Sequence, residues 1–281
     1  MNKAIVATMA GLCLSGTVFG QTILFSENFE SQTPGDKPIG TAVRPNTNTP
    51  VVFTEVVTGV ANGAGGGVGN GVQVFDDGLG SGEAFTFENN FVANTESQQS
   101  AVEITFDFAW EQDLAISGKY GRFGVGLYDA STAATLNTSG NIFLELRFGS
   151  DGVFRVVGSA GSSSESLTVG QAYALSLFVN DSDTLSIDYL APGGGTVSLA
   201  SNSFAVYLGN SLVRTDGLVN GALTGDSNLG RMGIDSFTTH DGIDYTFDNY
   251  VVSTIVPEPS TYAMIAGVMV LGLVTLIRRR K

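Results

Sequence analysis

The run Ala101–Trp110, AVEITFDFAW, alternates strictly. Val102, Ile104, Phe106, Phe108 and Trp110 fall on one side, and Glu103, Thr105 and Asp107 on the other. A period of two belongs to an extended strand with one face on a core. Comparable runs recur at Val51–Val57, Val72–Phe75, Ala84–Phe91, Arg122–Tyr128, Ile142–Phe148, Val153–Val157, Tyr173–Val179, Thr184–Leu190, Thr196–Leu199, Arg231–Ser236 and Tyr245–Ser253. Between the termini no stretch keeps a helical apolar period for three turns. Gly149-Ser150-Asp151-Gly152 and Asn180-Asp181-Ser182-Asp183 each join two runs and have the composition of tight antiparallel turns. The pattern predicts an all-β chain, an antiparallel two-sheet sandwich. The glycine-rich segment Gly59–Gly71 reads as a loop within one domain.

The two ends break this pattern. Residues 1–20 carry Lys3, an apolar stretch Ala4–Leu14 and a small-residue site at Gly20–Gln21, as a cleaved secretory signal does. Cys13, the single cysteine, would leave with it, so the body at 21–255 must be held by its core. At the other end Tyr262–Ile277 is 16 residues without a charge, about 24 Å as a helix, slightly short of a bilayer core. This predicts one C-terminal transmembrane helix at 262–277. Arg278, Arg279, Arg280 and Lys281 would fix its C-terminus in the cytoplasm and the body outside.

Charge narrows the partners. Residues 21–256 hold 8 basic and 26 acidic residues, a net −18. Such a surface repels nucleic acid and anionic headgroups, and tolerates divalent cations and neutral glycans.

Catalytic motifs are sparse. His240 is the only histidine, it lies in a turn-like run, and there is no G-x-S-x-G elbow, so neither a serine triad nor a zinc site is expected. Glycoside hydrolysis needs two carboxylates about 5–10 Å apart. Glu103 and Asp107 lie four residues apart on one strand face, about 13 Å by rise, and Glu111 shares that face only if the strand runs on. They read as solvated outer-face acids. Trp110, Tyr120, Tyr128, Tyr189, Tyr207 and Tyr250 are the aromatics a glycan platform would draw on, but most should be core. Glu27, Glu30 and Asp248 could share a structural calcium ion if the terminal strands pair, as calcium takes carboxylate and carbonyl oxygens. Asp241 and Asp244 lie nearby in sequence.

Val256-Pro257-Glu258-Pro259-Ser260-Thr261, followed by the apolar stretch and the basic cluster, resembles the PEP-CTERM sorting signal over residues 256–281. That resemblance implies export across the inner membrane of a Gram-negative-type bacterium and transient anchoring there. It also implies cleavage by an exosortase-type membrane protease and delivery to the cell surface or exopolysaccharide matrix. The segments LFSENFES and YTFDNYVV at the two ends of the body, with the central LELRFGSDGVFRV, resemble concanavalin-type and laminin-G-like jelly rolls. In these, first and last strands lie side by side, and the sheet faces often bind glycans or carry calcium. The expectation is therefore a non-catalytic structural or glycan-binding sandwich at the cell surface. The alternatives are a carbohydrate-active enzyme (glycoside hydrolase or lyase) on the same fold and a permanently anchored periplasmic protein.

Overall fold

The computed structural model describes residues 21–40, 42–44, 52–61, 68–77, 85–114, 116, 118–131, 133, 136, 142–219, 228–235 and 242–255. Ile23–Ile255 forms one compact unit. Its strands are β1 (Ile23–Glu27), β2 (Ala42–Arg44), β3 (Val52–Ala61), β4 (Val68–Asp76), β5 (Thr86–Asn90), β6 (Ala101–Trp110), β7 (Tyr120–Gly126), β8 (Ile142–Gly149) and β9 (Val153–Gly158). The chain continues through β10 (Gly161–Ser166), β11 (Ala172–Asn180), β12 (Ile187–Leu190), β13 (Thr196–Leu199), β14 (Ser203–Leu208), β15 (Ser211–Gly217), β16 (Arg231–Asp235) and β17 (Ile243–Thr254). One sheet has the order β15-β14-β11-β6-β17-β4-β3, with β1 also on β17; the other runs β10-β9-β8-β7-β16-β5-β2. We call them the first and second sheets. Every pairing between neighbours is antiparallel.

The inward residues of β6 meet those of β8, β9 and β16 in one core, where Phe106 lies 4.9 Å from Phe123 and Phe108 lies 5.0 Å from Phe148. These side chains bury enough apolar area to hold a body that has no cysteine. The expected side-by-side placement of first and last strands is present: Phe25 pairs with Val252 and Glu27 with Tyr250.

The expected C-terminal transmembrane helix is corrected. Among the described residues the one helical piece is the 3-10 turn Thr95–Ser97, and no helix is long and apolar enough to cross a membrane. A span needs about 20 successive apolar residues, whereas the described chain alternates. Residues 262–277, with Val256–Thr261, Arg278–Lys281 and the signal at 1–20, lie outside the described residues, as do Asp241 and His240.

Two local readings are also corrected. Asn180–Asp183 is not a hairpin turn: β11 pairs with β6 and β14, while β12 pairs with β13. Asn180 is fully buried, and its Nδ2 donates to Leu185 O and Ala200 O at 2.8 Å each. It ties down a longer connection instead. The β12–β13 hairpin then folds onto the outer side of the first sheet, stacking Tyr189 on Phe178 at 4.0 Å. The glycine-rich segment reads differently too. Gly59–Ala61 ends β3 and Val68–Gly71 begins β4, because glycine offers no side chain to signal a strand yet leaves the ladder bonds intact.

The β8–β9 hairpin is as expected. Gly152 closes it with φ +68°, and Gly152 N donates to Gly149 O at 3.1 Å. A Cβ at this position would run into the Trp110 ring. Gly152→Ala therefore combines left-handed strain with overpacking and should lower stability by about 2–4 kcal/mol in urea unfolding. A loss below about 0.5 kcal/mol would mean that the ring and turn move apart freely.

Candidate functional site

Chemistry-bearing side chains gather in four places. The first is the junction of the terminal strands. β17 carries a bulge after Asp248, with Asn249 at φ +53°. The extra residue flips the parity, so Phe247 and Tyr250 both enter the core. Asp248 faces Asp107 across the ladder. Asn249 Nδ2 donates to Asp107 Oδ2 at 2.9 Å, and Asn249 N to Asp248 Oδ1 at 2.6 Å. Asp248 is 1% exposed and its Oδ2 has no hydrogen-bond partner. Burial pushes its carboxyl up to about 7, helped by the charges of Asp107, Glu30 and Glu27 and opposed by the Asn249 amide.

Glu27, Glu30 and Asp248 thus lie in one electrostatic neighbourhood. They do not converge. Glu27 Oε1 accepts from Phe29 N at 2.7 Å and Glu30 Oε1 from Asn70 N at 3.0 Å. Among the described residues no group of three or more His, Cys, Asp or Glu side chains is arranged to hold a metal ion. The unpartnered Asp248 Oδ2 and the facing Asp107 would supply part of a calcium shell, but not a full set of carboxylates.

The second place is the outer side of the second sheet. Arg231 and Glu88, both fully buried, form an ion pair of 2.7 Å, and Arg122 lies 3.5 Å from Asp235. The connection after β7 covers them: Arg231 donates to Ala133 O at 2.9 Å and Arg122 to Leu136 O at 2.5 Å. Asp235 is pushed up to about 7 by burial, against the pull of Arg122. Closed over in this way, the network holds the connection to the sheet.

The third place is the other half of the first sheet's outer side, beyond the β12–β13 hairpin. Phe53 and Phe75 are paired across β3 and β4 and stacked at 4.9 Å, both half-buried. Phe75 in turn pairs with Asp244 on β17. Glu111 N donates to Asp244 O at 3.0 Å, so the two acids sit on neighbouring segments of the first sheet. Gln73 Nε2 donates to Asp244 Oδ1 at 2.6 Å, and Thr246 Oγ1 donates to Glu111 Oε1. Beside them a hollow of ≈160 Å³ is lined by Val57, Thr58, Gly59, Gln73, Glu111 and Thr246. Asp244 is raised to about 6, chiefly by burial, with Gln73 opposing and Glu111 adding.

The fourth place is a cleft of ≈370 Å³ at the lateral edge of the sandwich, between β10 and the strands β11, β14 and β15. Ala172, Tyr173, Leu208 and Val213 form its half-buried floor, and Glu165, Ser166, Gln171 and Ser211 its exposed rim. Tyr173 stacks on Phe108 of the core at 5.6 Å, and its hydroxyl accepts from Thr168 N at 2.9 Å, so the floor is rigid.

Of the aromatics considered for a glycan platform, Trp110, Tyr189, Tyr207 and Tyr250 are buried. Tyr120 and Tyr128 are half-buried, and the Arg147 guanidinium covers the Tyr120 ring at 4.4 Å. Asp107 is corrected from a solvated acid to one 5% exposed, because its partner strand carries the bulge that folds Asn249 over it. Spacing along β6 was the wrong measure for acid pairs: Asp107 and Glu111 each meet a carboxylate from β17. The pairing of β17 with β6 is the signal that finds them, and it spans more than 130 residues of sequence.

No family model and no curated protein matches the chain. Among solved structures, a sialidase matches at 10% identity and TM-score 0.48, over 78% of this chain and 19% of that one. The carbohydrate esterase of the Shiga toxin-encoding bacteriophage phi24B matches at 11% identity and TM-score 0.49, over 84% of this chain and 100% of that one. A Trypanosoma rangeli sialidase matches at 15% identity and TM-score 0.40, over 83% of this chain and 34% of that one. The chain therefore spans a minor part of either sialidase.

Because the raised Asp248 favours the protonated fold, its stabilising contribution is present below about pH 4 and lost as pH rises through about 7. In metal-free buffer, Asp248→Asn should raise the melting temperature by a few degrees at pH 8 and by less at pH 5. A gain equal at both pH values would remove ionisation of Asp248 as the cause.

Proposed function

We propose that this chain is an exported, glycan-binding β-sandwich that reaches the cell surface or exopolysaccharide matrix through its C-terminal signal. The edge cleft carries the binding part of the reading. Its volume lies within the range of small-molecule sites, and it joins an apolar, aromatic floor to a rim of carboxylate, amide and hydroxyl groups. A sugar ring presents the matching surfaces, C–H groups on its face and hydroxyls around its edge. The acidic body favours neutral glycans over anionic ones.

Titration of the purified protein with neutral oligosaccharides, followed by calorimetry, tests the cleft. Gln171→Ala and Glu165→Ala should each weaken binding about 2- to 10-fold, the worth of one net hydrogen bond. Unchanged affinity in both variants would move the site elsewhere. The absence of binding to every neutral oligosaccharide would end the reading.

The sorting part rests on Val256–Thr261 and the basic cluster Arg278–Lys281. Prolines fix an extended, donor-poor segment that a protease such as an exosortase can hold. In the native host, replacing Pro257 and Pro259 by Ala should abolish processing, so that mass spectrometry finds Arg278–Lys281 retained. An unchanged mature mass and destination would refute sorting through this motif.

A further inference from the structure

We propose that Asp244 and Glu111 form an acid–base pair that hydrolyses a neutral polysaccharide lying along the outer side of the first sheet. This site is separate from the edge cleft and adds an activity to the binding reading.

Four observations meet there. Asp244, on β17, and Glu111, just after β6, are joined by the Glu111 N to Asp244 O bond of 3.0 Å. Directly opposed positions across a ladder place their Cβ atoms about 4.5–5.5 Å apart, and side chains of unequal length standing on such neighbours can splay to leave room for a water between their carboxyl groups, as single-displacement hydrolysis requires. The two acids are held in the same way. Gln73 donates to Asp244 Oδ1 at 2.6 Å and Thr246 donates to Glu111 Oε1, so each keeps one oxygen oriented by a neutral donor. Among the described residues no arginine or lysine forms an ion pair with either acid, unlike Glu88, Glu145, Asp151, Asp216 and Asp235. The hollow beside Glu111 has room for water, and its wall shares Gln73 and Thr246 with the pair. The stacked Phe53 and Phe75 rings adjoin Asp244 in the same row of the sheet. They offer an apolar platform for a sugar ring next to the acids.

The environments separate the roles. Asp244 is 5% exposed and its carboxyl is raised to about 6, so it can carry a proton near neutral pH; Glu111 is half-buried and lines the hollow. In the reaction, the bond from the anomeric carbon to the glycosidic oxygen breaks as Asp244 gives its proton to that oxygen. A water from the hollow adds its oxygen to the anomeric carbon and loses a proton to Glu111. One glycosidic bond and one water become two hydroxyl ends. Proton exchange with solvent then restores both acids, and no other reactant is needed.

The test is release of reducing ends from soluble neutral β-glucan, xylan and galactan by the full chain. Wild type should act on at least one of them. Asp244→Asn and Glu111→Gln should each lower kcat by about 10²–10⁴-fold with little change in KM, while both still fold and melt cooperatively, at a temperature no lower than wild type. Phe53→Ala should instead raise KM. The rate should fall as pH rises past about 6, where Asp244 loses its proton, and Asp244→Asn should lose that limb. Absence of reducing ends from all three polysaccharides would overturn the proposal, as would wild-type rates in the folded acid variants. The two readings fail separately: absence of hydrolysis would leave oligosaccharide binding at the edge cleft intact, and absence of binding there would leave reducing-end release by Asp244 and Glu111 to be judged by itself.

Discussion

The structure depends on β17 being held from both sides. Its 12 residues pair with β6 along one side, and with β4 and then β1 along the other. This one strand joins the first residues of the body to its last and places Tyr245, Phe247 and Tyr250 at the centre of the core. Such pairing is costly to form, because the loop-closure entropy of more than 200 residues comes before any contact between β1 and β17. Once formed, it closes the sandwich without a disulfide. The Asp248 bulge is the point where β17 passes from β4 to β1 as its partner, so the buried acids Asp107 and Asp248 stand at the structural seam.

The strands legible in the sequence were those with one apolar and one polar face. β6, β8, β9 and β17 alternate, and all four were placed within a residue or two. β10 reads GSSSES and β15 reads SLVRTDG. They line the sandwich's edge, bury little, and so show no hydrophobic period. β14 reads SFAVYL, apolar throughout, because its outer face is covered by the β12–β13 hairpin and packs Ala205 and Tyr207 in a second small core. A strand covered on both faces loses the alternation that identifies it. Asn180 shows the converse: its turn-like composition was real, but its side chain satisfies three carbonyls of a long connection rather than a two-residue turn.

The sites were less legible than the fold for a related reason. Residue type was visible, and the mutual approach of Glu27, Glu30 and Asp248 followed from pairing the ends. The neighbours that decide their chemistry come from other strands. Asp244 meets Glu111, Gln73 and Phe75, and none is within 100 residues of it in sequence. Arg231 meets Glu88 across an equally long separation. Sequence spacing along a single strand measures rise, whereas acid pairing in an antiparallel sheet is set across strands.

Net charge understates how acidic the surface is. Of the 8 basic residues in the body, Arg122, Arg147, Arg155, Arg214 and Arg231 are each ion-paired to an acid of the sandwich. Arg122 and Arg231 are buried as well, and removing either partner of such a pair leaves an uncompensated charge worth several kcal/mol. These arginines are therefore committed to holding strands and connections together rather than to meeting a ligand. A body of this charge repels anionic polymers, which is why the proposed ligand is a neutral glycan. The same inward use of arginine leaves Asp244 and Glu111 beside neutral donors, and this separates a reactive carboxylate pair from a structural one.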